Sequence, residues 1–297
     1  MTERTGGPEP VIDCHVHVFD PQRFPYAADA HYTPTGAETG TVEQLRRTHD
    51  AHGVRHALLV GPNSGYGEDN RYLLDCLAAD PQRFRGFAVV PVDLGRAELV
   101  RLRAAGVLGV TLNAALLGVA YYAEVGPQLA ALAELDMIAD VQVVDDQLLG
   151  LGPLLDRSGV RVVIDHCGRP DPRNGSAESG FAELLRRGRD GRTLVKLSGH
   201  YKFSHRPHPH EDAWLFVRAL VDAFGPDRCV WASDWPFLRA PARIDYAPLL
   251  ALFAELVPDH ATRRAILWQT PLREFFPERT NGTSGSASAR GCRSGRA

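Results

Sequence analysis

Residues 11–19 read VIDCHVHVF, a short apolar segment that contains one aspartate and two histidines and is followed by DP. Its length and β-branched content predict a buried strand at the start of the domain. A doubly wound dinucleotide-binding sheet would carry a glycine-rich turn directly after this strand, and none is present. Because side chains alternate along a strand, His15 and His17 are expected on one face. Cys14 and Val16 are expected on the opposite face.

Seven further short apolar runs follow this segment, and they are bounded by glycine, proline, aspartate or asparagine as strands usually are. They lie at 55–60, 86–92, 107–113, 137–144, 160–165, 193–198 and 229–234. Stretches of helical period separate or follow the runs, at 41–52, 69–79, 96–105, 126–135, 146–157, 178–188, 211–224 and 247–273. Eight strands alternating with eight helices predict an α/β fold, a closed (β/α)8 TIM-like barrel, with a doubly wound open sheet as the alternative.

The chain is expected to form a single barrel domain at 10–276, between a disordered N-terminus at 1–9 and a flexible tail at 277–297. The tail is rich in glycine, serine and arginine and has no periodicity. Such a composition cannot bury enough apolar surface to become ordered.

The composition excludes several classes of partner. The chain has 33 Lys+Arg and 36 Asp+Glu among 297 residues, a net charge of −3, so no global basic field is available for nucleic acid or a membrane surface. It has no run of about 18 apolar residues and no apolar signal segment, and its five cysteines form no CxxC pair. These features predict a cytoplasmic protein that acts on a small molecule, and they leave its oligomeric state open.

Two more polar residues stand at the ends of apolar strands. His166 follows the sixth run, where the two-residue period aligns it with Ile164. Asp234 ends the eighth run, where the same period aligns it with Ala232. Catalytic groups of barrel enzymes lie at the carboxyl ends of the strands, so His15, His17, His166 and Asp234 are expected to meet at one mouth of the barrel.

Five motifs together resemble the lactonase branch of the amidohydrolase superfamily (amidohydrolase-related family 2), which contains 2-pyrone-4,6-dicarboxylate hydrolase. The resemblance spans residues 11–276 and rests on DCHVHVFDP (13–21), GYGEDNRYLLD (65–75), VVIDHCGRPD (162–171), VKLSGHYKFS (195–204) and VWASDWPF (230–237). It implies a barrel hydrolase in which water, activated by the strand-eight aspartate, attacks a lactone carbonyl. On that basis Asp234 is the expected general base, and the three histidines are expected around the carbonyl oxygen, with at least one of them donating an N–H to it. A protonated imidazole would stabilise the oxyanion better than a neutral one, and close packing with Asp234 is expected to favour that charge.

The same four residues, His15, His17, His166 and Asp234, could hold Zn²⁺ or Mn²⁺. Gln142 and Ser198 end the fifth and seventh strands and are poor further ligands. The lactonase branch implies hydrolysis without a required metal, so the expectation is metal independence, with a weakly bound divalent ion as the alternative. A metal-dependent decarboxylase of an aromatic or muconate-type acid, and a barrel without catalytic activity, remain rival interpretations.

The substrate is expected to be less anionic than a pyrone dicarboxylate. Thr111 stands where the dicarboxylate-hydrolysing relatives have an arginine, and residues 114–118 contain no basic side chain. Lys202 is the remaining anion contact, since Arg169 is expected to pair with Asp171. A sugar-acid lactone or a singly charged muconolactone-like ring is compatible with this small number of cationic side chains. The uncharged candidates for substrate contact are Tyr32, Asn63, Asn113 and Gln142.

Overall fold

A computed structural model of the chain describes residues 9–277, and within them eight parallel strands pair in chain order around a barrel. The strands are β1 Val11–Val16, β2 Val54–Val60, β3 Phe84–Ala88, β4 Val107–Asn113, β5 Ile138–Gln142, β6 Arg161–Ile164, β7 Thr193–Leu197 and β8 Cys229–Trp231. The predicted (β/α)8 barrel is confirmed. The disorder expected at 1–9 and 277–297 lies outside the described residues, except at Glu9 and Pro277.

Helices surround the strands as the sequence periodicity indicates. They are α1 Val42–Ala51, α2 Arg71–Ala79, α3 Arg96–Ala104, α4 Ala114–Leu117, α5 Gly126–Glu134, α6 Gln147–Ser158, α7 Ser179–Arg187, α8 Trp214–Phe224, α9 Tyr246–Leu256, α10 His260–Arg264 and α11 Thr270–Phe275. The single helix expected at 247–273 is interrupted, because Pro258 prevents α9 from continuing into α10. Between residues 9 and 277, no helix has the length and apolar content that crossing a membrane would require.

Two apolar layers hold the barrel together. The outer layer packs the strands against the helices, and it includes Val16, Leu59 and Ile164. The inner layer fills the barrel with Ile12, Cys14, Leu58, Phe87, Val163, Leu194 and Val230, and Phe275 of α11 joins it. The interior is therefore a solid apolar plug, and the polar groups of the strands stand at its carboxyl end.

The prediction that Cys14 lies on the face of Val16 is wrong. Asp13 pairs with Ala57 and Val16 pairs with Leu59, so three steps along β1 match two along β2. This bulge inserts one residue and changes the alternation, so that Cys14 packs inside the barrel. The bulge also shifts the histidines that come after it relative to the first half of the strand.

The barrel closes where β8 ends. The backbone N–H of Asp234 donates to the carbonyl of His15 at 2.9 Å, and the N–H of His17 donates to the carbonyl of Trp235 at 2.8 Å. Asp13, buried behind this seam, accepts hydrogen bonds from the Ser233 N–H at 2.9 Å and the Tyr246 hydroxyl at 2.7 Å. Closure of the barrel thus places the strand-eight aspartate directly against the two histidines of β1.

Candidate active site

His15 and His17 lie at the carboxyl end of β1, and both side chains are buried. Their Nε2 atoms are 3.2 Å apart. Nδ1 of His17 is 2.8 Å from the Val60 carbonyl oxygen at the end of β2, and that oxygen can only accept. His17 therefore carries a proton on Nδ1, and its ring is fixed with Nε2 towards His15.

His166 lies beside these two histidines because of a backbone turn that the two-residue period does not predict. Ile164, with which it was aligned, faces the helices, and Asp165 is the inward residue at the end of β6. His166 enters the site because the chain turns there through a positive φ of 50°. Its Nδ1 lies 3.0 Å from the Ser198 hydroxyl. A Cβ on Gly199 would lie 2.6 Å from that Nδ1, so only glycine leaves room for the ring.

Asp234 presents two different oxygens. Oδ2 accepts a hydrogen bond from the Tyr201 hydroxyl at 2.6 Å and lies 2.9 Å from the Lys202 ammonium. Oδ1 is buried and has no hydrogen-bond partner within the described residues. The Nε2 atoms of all three histidines face it, at 3.7 Å from His17, 3.8 Å from His15 and 3.9 Å from His166. One oxygen is anchored, and the other is available to a bound molecule.

The site keeps its carboxylate charged and two of its imidazoles neutral. Burial alone would raise the pKa of Asp234, but Lys202 and the three surrounding imidazoles together outweigh it, and the pKa falls below the usual range. Burial lowers the pKa of His17 to about 3 and that of His166 well below its ordinary value. Asp234 raises the pKa of both rings, as expected, but burial outweighs it, so the expected protonated form is not favoured at these two rings.

Beneath the histidines lies a buried charge cluster that was not predicted from the sequence. Lys196 of β7, which has no solvent exposure, places Nζ 2.7 Å from Asp140 and 2.8 Å from Asp165. The same ammonium is 3.0 Å from Nδ1 of His15. The signal was available, because Asp140 and Lys196 each interrupt an otherwise apolar strand at an inward position. A charge there must be paired, since burial of an isolated ion is prohibitive.

A cavity of about 370 Å³ opens above the histidines. Asn63, Asn113, Gln142 and Lys202 line it, as expected of substrate contacts. Tyr32 does not line it, because its hydroxyl instead donates to Glu38. The amide of Asn113 donates to the Asn63 side chain at 2.9 Å, which links the ends of β4 and β2 across the wall.

Three cations line the cavity, where the sequence predicted one. Lys202 is joined by Arg169 and Arg239, from the loops after β6 and β8. The expected pairing of Arg169 with Asp171 is wrong, because that carboxylate binds Arg173 at 2.5 Å. Nε of Arg169 has no hydrogen-bond partner within residues 9–277. Arg169 therefore has a donor available to an anionic ligand, whereas the Arg239 guanidinium lies over the Tyr32 ring, 5.3 Å from its centre.

The donor atoms of the site are compatible with a divalent cation. His15, His17 and Asp234 form one group of atoms within 4.8 Å of one another, and His15, Asp165 and His166 form another. Imidazole nitrogens and a carboxylate oxygen suit Zn²⁺ or Mn²⁺. Ser198 adds no ligand, since its hydroxyl is bonded to His166. The residues that would hold such an ion are His15, His17, His166 and Asp234.

A parallel barrel with histidines and an aspartate at the carboxyl ends of its strands defines a class of barrel enzymes, and comparison with known proteins names the family. The family model described as Amidohydrolase matches residues 12–276. The chain belongs to this amidohydrolase family and is a barrel hydrolase.

Named relatives are similar over nearly the whole chain. The 4-sulfomuconolactone hydrolase of Rhizobium radiobacter is 32% identical over 279 residues, 90% of each chain. The 2-pyrone-4,6-dicarboxylate hydrolase of Comamonas testosteroni is 29% identical over 290 residues, 91% of this chain and 92% of that protein. A structure described as a 2-pyrone-4,6-dicarboxylic acid hydrolase of Pseudomonas putida has a TM-score of 0.78 and 32% identity, and the match covers 89% of this chain and 97% of that one.

Proposed function

We propose that the chain hydrolyses a small lactone, with Asp234 as the base that activates water, and that it needs no metal ion to do so. Two relatives with similarity over the full domain are named as hydrolases of 2-pyrone-4,6-dicarboxylate and of 4-sulfomuconolactone, both cyclic esters. The observation that carries the proposal is the unpartnered Oδ1 of Asp234, which faces three imidazole Nε2 atoms beside the cavity.

The proposed reaction begins with water bound against Oδ1 of Asp234. This oxygen removes a proton as the water oxygen attacks the lactone carbonyl carbon, and the carbonyl oxygen becomes an oxyanion. In the proposed tautomer, Nδ1 of His166 accepts from the Ser198 hydroxyl 3.0 Å away and the ring proton lies on Nε2, where it donates to the oxyanion. The tetrahedral intermediate collapses, the ring C–O bond breaks, and Asp234 returns its proton to the leaving alkoxide. The product is an open hydroxy acid.

The partners of Asp234 decide how it works as a base. Tyr201 and Lys202 hold Oδ2 and keep the carboxylate ionised at neutral pH, so the base is always in its active form. They also lower its proton affinity, so the base is weak and its advantage is position. If a divalent ion does bind, His15, His17, His166 and Asp234 would hold it, and it would supply Lewis acidity at the carbonyl oxygen.

The substrate is proposed to be a lactone with one anionic group, such as a singly charged muconolactone-like ring or a sugar-acid lactone. Arg169 and Arg239 supply charge on the side of the cavity formed by the loops after β6 and β8. The β4 side of the wall carries no charge, since it is lined by Thr111, Asn113, Ala115 and Leu116. A ring with anionic groups on both sides would leave one of them without a cation, and that disfavours a dicarboxylate.

A panel of lactones, monitored with a pH indicator, tests the proposal. Metal-stripped enzyme is mixed with singly anionic, dianionic and neutral lactones, with and without added Zn²⁺ or Mn²⁺. The expected result is ring opening that is fastest with singly anionic lactones and unchanged by metal. Activity only after metal addition refutes the metal-independent mechanism. Metal-dependent release of CO₂ from an aromatic or muconate-type acid, without lactone opening, favours the rival decarboxylase. The observation that supports this rival is the group of donor atoms compatible with a metal ion.

A further inference from the structure

Two buried groups compete for Nδ1 of His15. The Lys196 ammonium lies 3.0 Å from this nitrogen, and Oδ1 of Asp165 lies 3.2 Å from it. An ammonium can only donate, so a bond from Lys196 requires a bare Nδ1. A carboxylate can only accept, so a bond to Asp165 requires a proton on Nδ1. The two partners impose opposite tautomers on the ring.

The other end of the ring decides between them. His17 carries its proton on Nδ1, which donates to the Val60 carbonyl, so a neutral His17 has a bare Nε2. Nε2 of His15 lies 3.2 Å from it and is the atom placed to donate. A proton on Nε2 of a neutral His15 leaves Nδ1 bare, and that is the state Lys196 requires. The hydrogen bonds then run without conflict from Lys196 through His15 and His17 to the carbonyl of Val60.

We propose that Lys196 is a positioning residue that fixes His15 as the Nε2–H tautomer, which makes the ring a hydrogen-bond donor in the active site and weakens it as a metal ligand. A metal-ligating histidine must present a bare nitrogen, and it usually donates its other N–H to a carboxylate or a carbonyl. Asp165 stands where such a carboxylate would stand. Lys196 neutralises that carboxylate at 2.8 Å and takes its place at Nδ1.

Removal of Lys196 should reverse the tautomer of His15. Without the ammonium, Asp165 becomes the strongest partner of Nδ1, the proton moves to that nitrogen, and Nε2 becomes bare beside Nε2 of His17 and Oδ1 of Asp234. These three atoms form a donor group that is compatible with a divalent ion. Orienting partners of this kind change metal affinity by about 10- to 100-fold. Loss of Lys196 should therefore strengthen metal binding at this group.

The test uses a double variant, Lys196→Met with Asp140→Asn, so that one buried positive and one buried negative charge are removed together. Asp140→Asn alone is the matched control, since its amide oxygen can still accept from Lys196. Nitrogen NMR of ¹⁵N-histidine-labelled, metal-stripped protein identifies the protonated ring nitrogen, and a His15→Gln variant assigns the resonances. Binding of Zn²⁺ alone is measured by calorimetry in the same samples.

The expected result is an Nε2–H signature for His15 in the wild type and the control, an Nδ1–H signature in the double variant, and Zn²⁺ affinity at least about tenfold higher in the double variant. The three histidines at 205–210 are present in every sample and cannot produce that difference. An Nδ1–H signature in the wild type, or equal Zn²⁺ affinity in folded double variant and control, overturns the proposal. If the double variant does not fold, the wild-type signature still decides the tautomer. None of these readouts requires a substrate, so they do not depend on lactone hydrolysis.

Discussion

Asp234→Asn is the substitution that examines the proposed base most directly, and the structure specifies how the amide will sit. Tyr201 and Lys202 both donate to the Oδ2 position, so the amide oxygen must occupy it. The amide nitrogen then takes the place of Oδ1, among the three imidazoles. The atom proposed to accept the water proton is thereby replaced by a donor of almost the same size.

The magnitude of the effect depends on the interactions that the amide loses. General base catalysis contributes about 10²- to 10⁴-fold, or roughly 3–5 kcal/mol of activation free energy, so kcat should fall by that factor. Folding should lose about 1–3 kcal/mol, because Lys202 keeps a neutral acceptor in place of a charged one. The wall residues that contact the substrate are unchanged, so KM should move by no more than a few fold.

The assay is steady-state lactone opening by the wild type and by Asp234→Asn, with urea unfolding of both. Asp245→Asn, a change at an exposed carboxylate that pairs with Arg243, is the control for generic loss of a charge. A kcat within tenfold of the wild type would refute the role of Asp234 as base. A large loss of stability with normal kcat in the remaining folded enzyme would assign the residue to barrel closure instead.

Three further outcomes are expected. Arg169→Met should raise KM for a singly anionic lactone by about 10- to 100-fold, since a charged hydrogen bond contributes roughly 1.5–3 kcal/mol, and leave a neutral lactone unaffected; equal effects on both would contradict an anion contact. Burial lowers the pKa of His200 to about 4. The unfolded chain therefore binds more protons below pH 6.5, and stability should fall by about 2 kcal/mol between pH 7 and pH 5 on account of this group. His200→Leu should remove that part of the decline in urea titrations at the two pH values. A Cβ on Gly109 would lie 2.0 Å from the Ile138 carbonyl oxygen. Gly109→Ala should accordingly lose about 3 kcal/mol or more, and a wild-type urea midpoint would show that β4 can shift.

The local sequence pattern predicts the fold because it shows which residues are apolar, and the packing of the barrel buries those same residues. Each of the eight strands falls within or across a predicted apolar run, since a strand buried on both faces must be apolar along its length. The C-terminal helix is the exception. The apolar period continues from 247 to 273, but Pro258 lacks a backbone N–H, and the helix ends before it.

The same local reasoning fails where the backbone leaves the regular period. Ile164 was expected to share a face with His166, yet it packs against the helices, because a left-handed residue turns the chain directly after β6. The two-residue period also places Cys14 on the outer face of β1, but a bulge in the strand changes the alternation and the side chain packs inside the barrel. Neither feature has a signal in the two-residue pattern, which assumes uniform extended backbone.

The sequence by itself determined the barrel, and it named His15, His17, His166 and Asp234 as the residues at its mouth. These assignments depend on hydrophobic period and residue chemistry, which are properties of neighbours along the chain. Only the tertiary structure decided that Lys196 and Asp165, from separate strand ends, compete for one nitrogen of His15. It likewise decided that Lys202 is bonded to Asp234 and that Arg169 is left for a ligand. Tautomer, charge and partner are set by distances of about 3 Å between separate strands, and those distances exist only after the barrel has closed.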